Sequence, residues 1–239
     1  MNGEVEQLIS MASLAKKILI YREPLAYQDR NYINRIGFQV AGLFGKKILP
    51  TFGEWIKHIE KKNYNDLKLY LNPEIDDLNT LGFSNMHRGK IVVYILKGKV
   101  FEYSPIWSFD KKIDRWNILY IEEKVDEPQA YEDGSSFDIV SFDQTIKEIS
   151  QFAIKIGADN FVKYFDFARD KLWSQDPHKS YQSILSAVYS CDVFGGMGSW
   201  NDEPYALAEE MGLTGDYVRL SKALLRQVRL GAMYCVNDW

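Results

Sequence analysis

The sequence predicts an α+β protein, with helices and an antiparallel β-meander over residues 1–143 and a helical domain over residues 144–239. Three observations carry that reading. Near both ends of the chain apolar residues recur three and four apart, the spacing of one buried helix face. Between them, residues 91–121 switch to short β-branched and aromatic runs separated by turn residues, the mark of hairpins. No alternation of strand and helical patterns accompanies them, which argues against a doubly wound parallel sheet.

Each element has its own warrant. Val5, Leu8, Ile9, Ala12, Ala15 and Leu19 predict an opening amphipathic helix, stopped by Pro24. Ile33, Ile36, Val40 and Leu43 predict a second helix over 27–44, ended by Gly45. Thr51 with Glu54 resembles a capping box and opens a helix through Trp55 and Ile59. A short helix is expected over 64–71, before Asn72 and Pro73. Residues 91–96, the compact turn Lys97-Gly98, and residues 100–103 predict two strands. Residues 106–109 and 116–121 continue the meander around Asp110 to Asp114, and 137–142 are expected to add a last strand.

From Asp143 the helical period returns. One stripe is Ile146, Ile149, Ala153 and Ile156, closed by Gly157; the next is Phe161, Phe165, Ala168 and Leu172, stopped near Pro177. Tyr181, Ile184, Leu185, Val188 and Cys191 make a third. A short helix over 206–211 ends at Gly212, and Thr214 or Asp216 is placed to cap a long final helix with Leu220, Leu224, Val228 and Tyr234 on one side. No internal repeat or low-complexity segment interrupts the chain.

Composition narrows the function classes. At 239 residues the chain can bury a proper core, and a formal charge of −4 does not suggest a nucleic-acid binder, which normally carries a basic domain or stripe. Aromatic residues at 14% allow for exposed binding rings. Cys191 and Cys235 make neither a metal-ligand spacing nor a disulfide framework, so they read as buried thiols in a reducing compartment. Neither a secretory leader nor an apolar run of membrane-spanning length is evident, so a cytoplasmic location and no membrane partner are expected.

The densest oddity lies at residues 193–202. Gly195, Gly196 and Gly198 permit positive φ and close backbone approach, while Ser199, Asn201 and Asp202 are each good helix N-caps. A helix, a tight glycine turn and a second helix start are expected. Three readings compete: a helix corner whose Phe194 and Trp200 are core; a partner-binding knuckle offering Phe194, Met197 and Trp200; or an anion nest of free N–H groups. The last lacks any Lys or Arg inside the segment and the Gly-Lys-Ser/Thr ending of a phosphate loop.

A second candidate surface is the acidic run Glu122, Glu123, Asp126, Glu127, Glu132, Asp133 and Asp138, relieved only by Lys124 and carrying Pro128 and Gly134. It reads as an exposed loop at the domain boundary, either a solvated connector or a docking surface for a basic partner.

The inventory for catalysis is thin. His58 lies four residues after Glu54 on one helix, the pattern of an ion pair without a second metal ligand. His87 belongs to a loop before the first strand of the meander and His178 to a helix start. Cys191 would sit at a helix C-terminus, whose partial negative charge raises a thiol pKa instead of lowering it. No catalytic, cofactor or metal residue is assigned.

Residues 194–202, preceded by the 181–193 helix, resemble the glycine-methionine-glycine-serine-x-asparagine-aspartate signature of a small, helical bacterial family of unknown function. Members of that family look like immunity proteins encoded near polymorphic toxins. The resemblance covers the chain from Asp143 onward and implies a non-enzymatic, toxin-neutralising protein that binds through Phe194 to Asp202 and the acidic run. The alternative is an enzyme of unknown reaction with an anionic-ligand site at the glycine turn. A structural protein that assembles with itself through a large apolar interface is a third class.

Overall fold

Local sequence patterns set most elements, and long-range pairing decides the rest. The computed structural model describes residues 2–28, 30–42, 45–96, 98–125, 133–174 and 181–238. Among them the architecture is α+β: seven helices and one six-stranded mixed sheet. No described helix is long and apolar enough to cross a membrane. The chain divides into two compact units. One is built from Gln7–Tyr70 and Arg88–Tyr131, the other from Met1–Glu6, Leu71–His87 and Glu132–Trp239. The division is therefore interleaved, not a single cut near residue 143.

The opening helix α1 (Gly3–Leu19) buries the predicted stripe of Val5, Leu8, Ile9, Ala12, Ala15 and Leu19. In the sheet unit follow β1 (Ile33–Gly42), β2 (Gly45–Leu49), α2 (Phe52–Lys61), β3 (Tyr64–Leu71), β4 (Gly89–Ile95), β5 (Lys99–Asp110) and β6 (Arg115–Val125). The strand order is β2-β1-β6-β5-β4-β3. β4, β5 and β6 form the expected antiparallel meander, while β1 runs parallel to β6 and antiparallel to β2. The tight β4–β5 connection has Gly98 at φ 75°; Lys97 lies outside the described residues. β5 runs unbroken through Pro105, which pairs with Tyr120, so the two short strands expected there are one.

Two predicted helices are strands. Residues 33–42 looked helical because Ile33 and Ile36 are three apart, but a register shift between Ile33 and Arg35 places both on one sheet face, opposite Trp116 and Ile118. A bulge inserts one residue and so imitates helical spacing. Beyond it Ile36, Phe38 and Val40 alternate inward at period two. Residues 64–71 likewise bury Leu67, Leu69 and Leu71 in strict alternation. In β1, Phe38 stacks on Trp55 of α2 with centroids 4.6 Å apart, and Tyr103 meets Trp55 edge-on at 5.3 Å. The cap of α2 is as predicted, with the Glu54 amide donating to Thr51 Oγ1 at 3.2 Å.

The helical unit comprises α3 (Ile139–Lys155), α4 (Asp159–Leu172), α5 (Tyr181–Cys191), α6 (Glu203–Glu210) and α7 (Thr214–Asn237), with a 3-10 turn at Leu78–Gly82. The strand expected over 137–142 is instead the start of α3. Asp138 caps it, accepting from the Ser141 amide at 2.8 Å. Gly157 and Gly212 follow α3 and α6 with positive φ, as helix-ending glycines do. Thr214 and Asp216 do not cap α7; Leu213 holds the cap position without a side-chain bond. Residues 175–180, with Pro177 and His178, lie outside the described residues.

Candidate functional site

The glycine turn is a closed device with one projecting side chain. After α5 the Trp200 amide donates to the Val193 carbonyl at 2.9 Å, closing the loop at its neck. Asn201 clamps it from inside: Gly195 N–H donates to Asn201 Oδ1, and Asn201 Nδ2 returns a bond to the Gly195 carbonyl, both at 2.9 Å. Ser199 Oγ also donates to Asn201 Oδ1. Gly198, at φ 74°, donates to Asp202 Oδ2 at 2.7 Å. Asp202 holds the N-cap position of α6, but its side chain turns back to the loop instead of capping. Backbone freedom is used here for contact as well as turning, because a Cβ at Gly82 would lie 3.1 Å from the Gly195 carbonyl oxygen.

Burial sorts the predicted partner residues. Trp200 is fully buried among Phe161, Phe165 and Tyr217 at 5.2–5.9 Å. Its Nε1 donates to Ser221 Oγ at 2.7 Å and its carbonyl accepts from Tyr217 at 2.9 Å. Phe194 is also buried. These two are core, not knuckle, as the helix-corner reading had it. Met197 is 99% exposed at the tip, with Gly196, Gly198 and Asp202 exposed and Gly195, Ser199 and Asn201 half-buried around it.

Beside the turn runs a groove of about 810 Å³ between α4 and α5, lined by Phe161, Tyr164, Phe167, Tyr189, Phe194 and Ser199. Tyr164 and Phe167 are 45% and 50% exposed. Lys163 and Lys171 lie over the Tyr164 and Phe167 rings at 5.1 and 5.0 Å. Ser190 Oγ donates to the Tyr164 carbonyl, tying the two helices together. Asp192 lines the inner end, and burial pushes its carboxyl up.

The acidic run divides. Asp126 and Glu127 lie outside the described residues, while Glu122 and Glu123 belong to strand β6 and not to a loop. Glu123 is exposed, but the Glu122 side chain is 1% exposed, so it offers a partner nothing. Its oxygens instead bind His58 Nε2 at 2.8 Å, Lys62 Nζ at 3.0 Å and the Tyr103 hydroxyl. Burial alone would raise its pKa; the bonds from His58, Tyr103 and Lys62 outweigh that and bring it down to about 2. Burial and the Glu122 charge push the Tyr103 hydroxyl well up. His58 thus pairs with Glu122 across 64 positions and not with Glu54. Helical spacing within α2 could not reveal a partner on β6, the fourth strand further along the chain.

The other reactive side chains are walled in. Burial, reinforced by Asp192, holds the Cys191 thiol well above its ordinary range, and burial does the same to Cys235. His87 is in a loop as expected but is buried against Arg229 of α7, whose guanidinium also donates to the Asn72 carbonyl. Burial and the Arg229 charge lower the His87 pKa to about 4. Among the described residues no group of three or more His, Cys, Asp or Glu side chains could hold a metal ion.

Charge is partitioned far more sharply than the net −4 suggests. Of 33 acidic residues 21 fall in the helical unit, and of 29 basic residues 19 fall in the sheet unit, giving formal charges of −11 and +7. Comparison of the chain with protein-family models, with curated proteins and with solved structures finds no match.

Proposed function

We propose that this protein is a cytoplasmic, non-enzymatic binding protein, an immunity protein whose helical unit occludes a basic bacterial toxin domain. The observation that carries the proposal is Met197, 99% exposed on a turn that Asn201 and Asp202 hold rigid. An immobilised loop with a flexible thioether at its tip loses little entropy on docking and adapts to the surface it meets. The aromatic groove beside it supplies further contact area, and the −11 charge of the unit steers a cationic partner towards it. The family resemblance of residues 194–202 points the same way. The reading needs no cofactor, metal, nucleic acid or membrane.

The anionic-ligand alternative is disfavoured by the turn itself. An anion nest needs free amides and no competing negative charge; the Gly195 and Gly198 amides are held by Asn201 and Asp202, and the Asp202 carboxylate drawn into the turn repels an anion from the Gly196 and Met197 amides that are left.

The test uses the tagged full chain as bait against lysate and secreted material of its source organism. The expected result is a stoichiometric, lysine- and arginine-rich polypeptide that is lost with the Met197→Glu, Phe167→Glu double variant at unchanged melting temperature. That polypeptide, expressed in a bacterial host, should be toxic alone and harmless with this protein. Equal capture by parent and variant, or a captured polypeptide whose toxicity persists on co-expression, would sink the proposal.

A further inference from the structure

The sheet unit carries its own cleft, of about 770 Å³, within the 300–1,000 Å³ range of small-molecule sites. Its apolar lining comes from Ile18, Leu25, Ile36, Phe52 and Ile56. One wall is held in place, because the Tyr27 ring stacks on Phe52 at 5.3 Å and its hydroxyl accepts from Gln7 Nε2 at 2.8 Å.

Three charged side chains line the same cleft: Arg35, Lys57 and Glu60. Glu60 is matched by Arg22 at 3.1 Å. Arg35 and Lys57 are exposed and form no ion pair or hydrogen bond with any described residue. The cleft therefore presents an uncompensated pair of cations above an apolar surface, in a unit whose formal charge is +7. Water satisfies those cations as well as an anion does unless the anion brings an apolar body that gains by leaving water.

We infer that this cleft binds a small amphipathic organic anion of the acyl carboxylate class, its apolar body against Ile36, Phe52 and Ile56 and its carboxylate between Arg35 and Lys57. Octanoate is the probe, and it differs from octan-1-ol in the charged head and from inorganic phosphate in having an apolar body. The site is independent of the glycine turn and stands or falls apart from the immunity proposal.

Calorimetric titration of the full chain tests it. Octanoate should saturate a single site, with octan-1-ol and phosphate each at least about tenfold weaker, as loss of a charge-assisted contact or of an apolar body dictates. Arg35→Ala with Lys57→Ala should weaken octanoate at least about tenfold at unchanged melting temperature, both positions being exposed. Gly53→Asp is a second probe: a Cβ there meets nothing within 4 Å, so the fold tolerates it while its carboxylate repels the ligand. Absence of saturation by octanoate, equal binding of octan-1-ol or of phosphate, or undiminished octanoate binding by the double variant would each overturn the inference.

Discussion

The two units bury their most demanding side chains by opposite means. In the helical unit Trp200 sits in a shell of aromatic rings, and its one polar atom is satisfied by Ser221. In the sheet unit Glu122 is buried as an anion, kept charged by His58, Lys62 and Tyr103. The first arrangement draws on apolar area and close packing, which are indifferent to pH. The second draws on charge-assisted hydrogen bonds that offset desolvation, and it fails when a proton arrives. The contrast extends outward, for the acidic unit carries a groove beside a clamped turn that exposes Met197 and the basic unit a cleft with two unmatched cations.

The largest effect should come from removing the aromatic hub. Trp200→Ala is expected to cost about 3–5 kcal/mol by urea unfolding, since it empties a fully enclosed site, strips Ser221 Oγ of its indole donor and leaves the Tyr217 ring without its stacking partner. A loss under about 1 kcal/mol would mean that the turn is not anchored by this ring.

Acid should separate the two units. His87 has a folded pKa of about 4 against an ordinary 6.5, so the unfolded chain takes up its proton first and stability falls from pH 6.5 towards 4. Glu122, lowered from 4.5 to about 2, contributes stability above pH 4.5 that is lost as pH drops through about 2. The His87 shift corresponds to about 3 kcal/mol; the Glu122 shift is worth less, because its partners His58 and Lys62 reach water, which screens the pairing. His87→Leu should flatten the upper limb of a stability–pH curve and Glu122→Gln the lower one. If either variant leaves its limb intact, the corresponding buried network is not what the acid attacks.

The smallest effect on stability belongs to the proposed contact. Met197→Glu should leave the unfolding free energy within about 0.5 kcal/mol of the parent, because the side chain touches almost nothing in the free protein. A larger loss, read from the same urea curves, would move Met197 from the surface into the account of the fold.

How much was legible beforehand depended on the range of the interaction. The α1 stripe, the Thr51 cap and the α4 and α5 stripes are repeats within one helix, and each was readable at its correct place. The two strands of the β4–β5 hairpin were equally local. At the glycine turn the sequence marked the segment but offered Phe194, Met197 and Trp200 as equals. A Trp and a Met three residues apart differ in fate only through what packs on them, here Phe161, Phe165 and Tyr217 from other helices.

Glu122 failed for the same reason in sharper form. Seven acids near a proline and a glycine read as a solvated loop, while the Lys62, His58 and Tyr103 that draw Glu122 inside lie 60, 64 and 19 positions away. The β1 bulge is the instructive middle case, a local irregularity that converts a strand into helical spacing.

Residue order alone thus settled the α+β class, the helical C-terminal half, the meander and the location of the turn, because periodicity and capping act between neighbours along the chain. Folding in three dimensions settled which strands pair, which of the turn's apolar residues faces water, where the buried anion lies and how charge is shared between units. Those outcomes depend on contacts between segments tens of residues apart, whose free energies no local pattern carries.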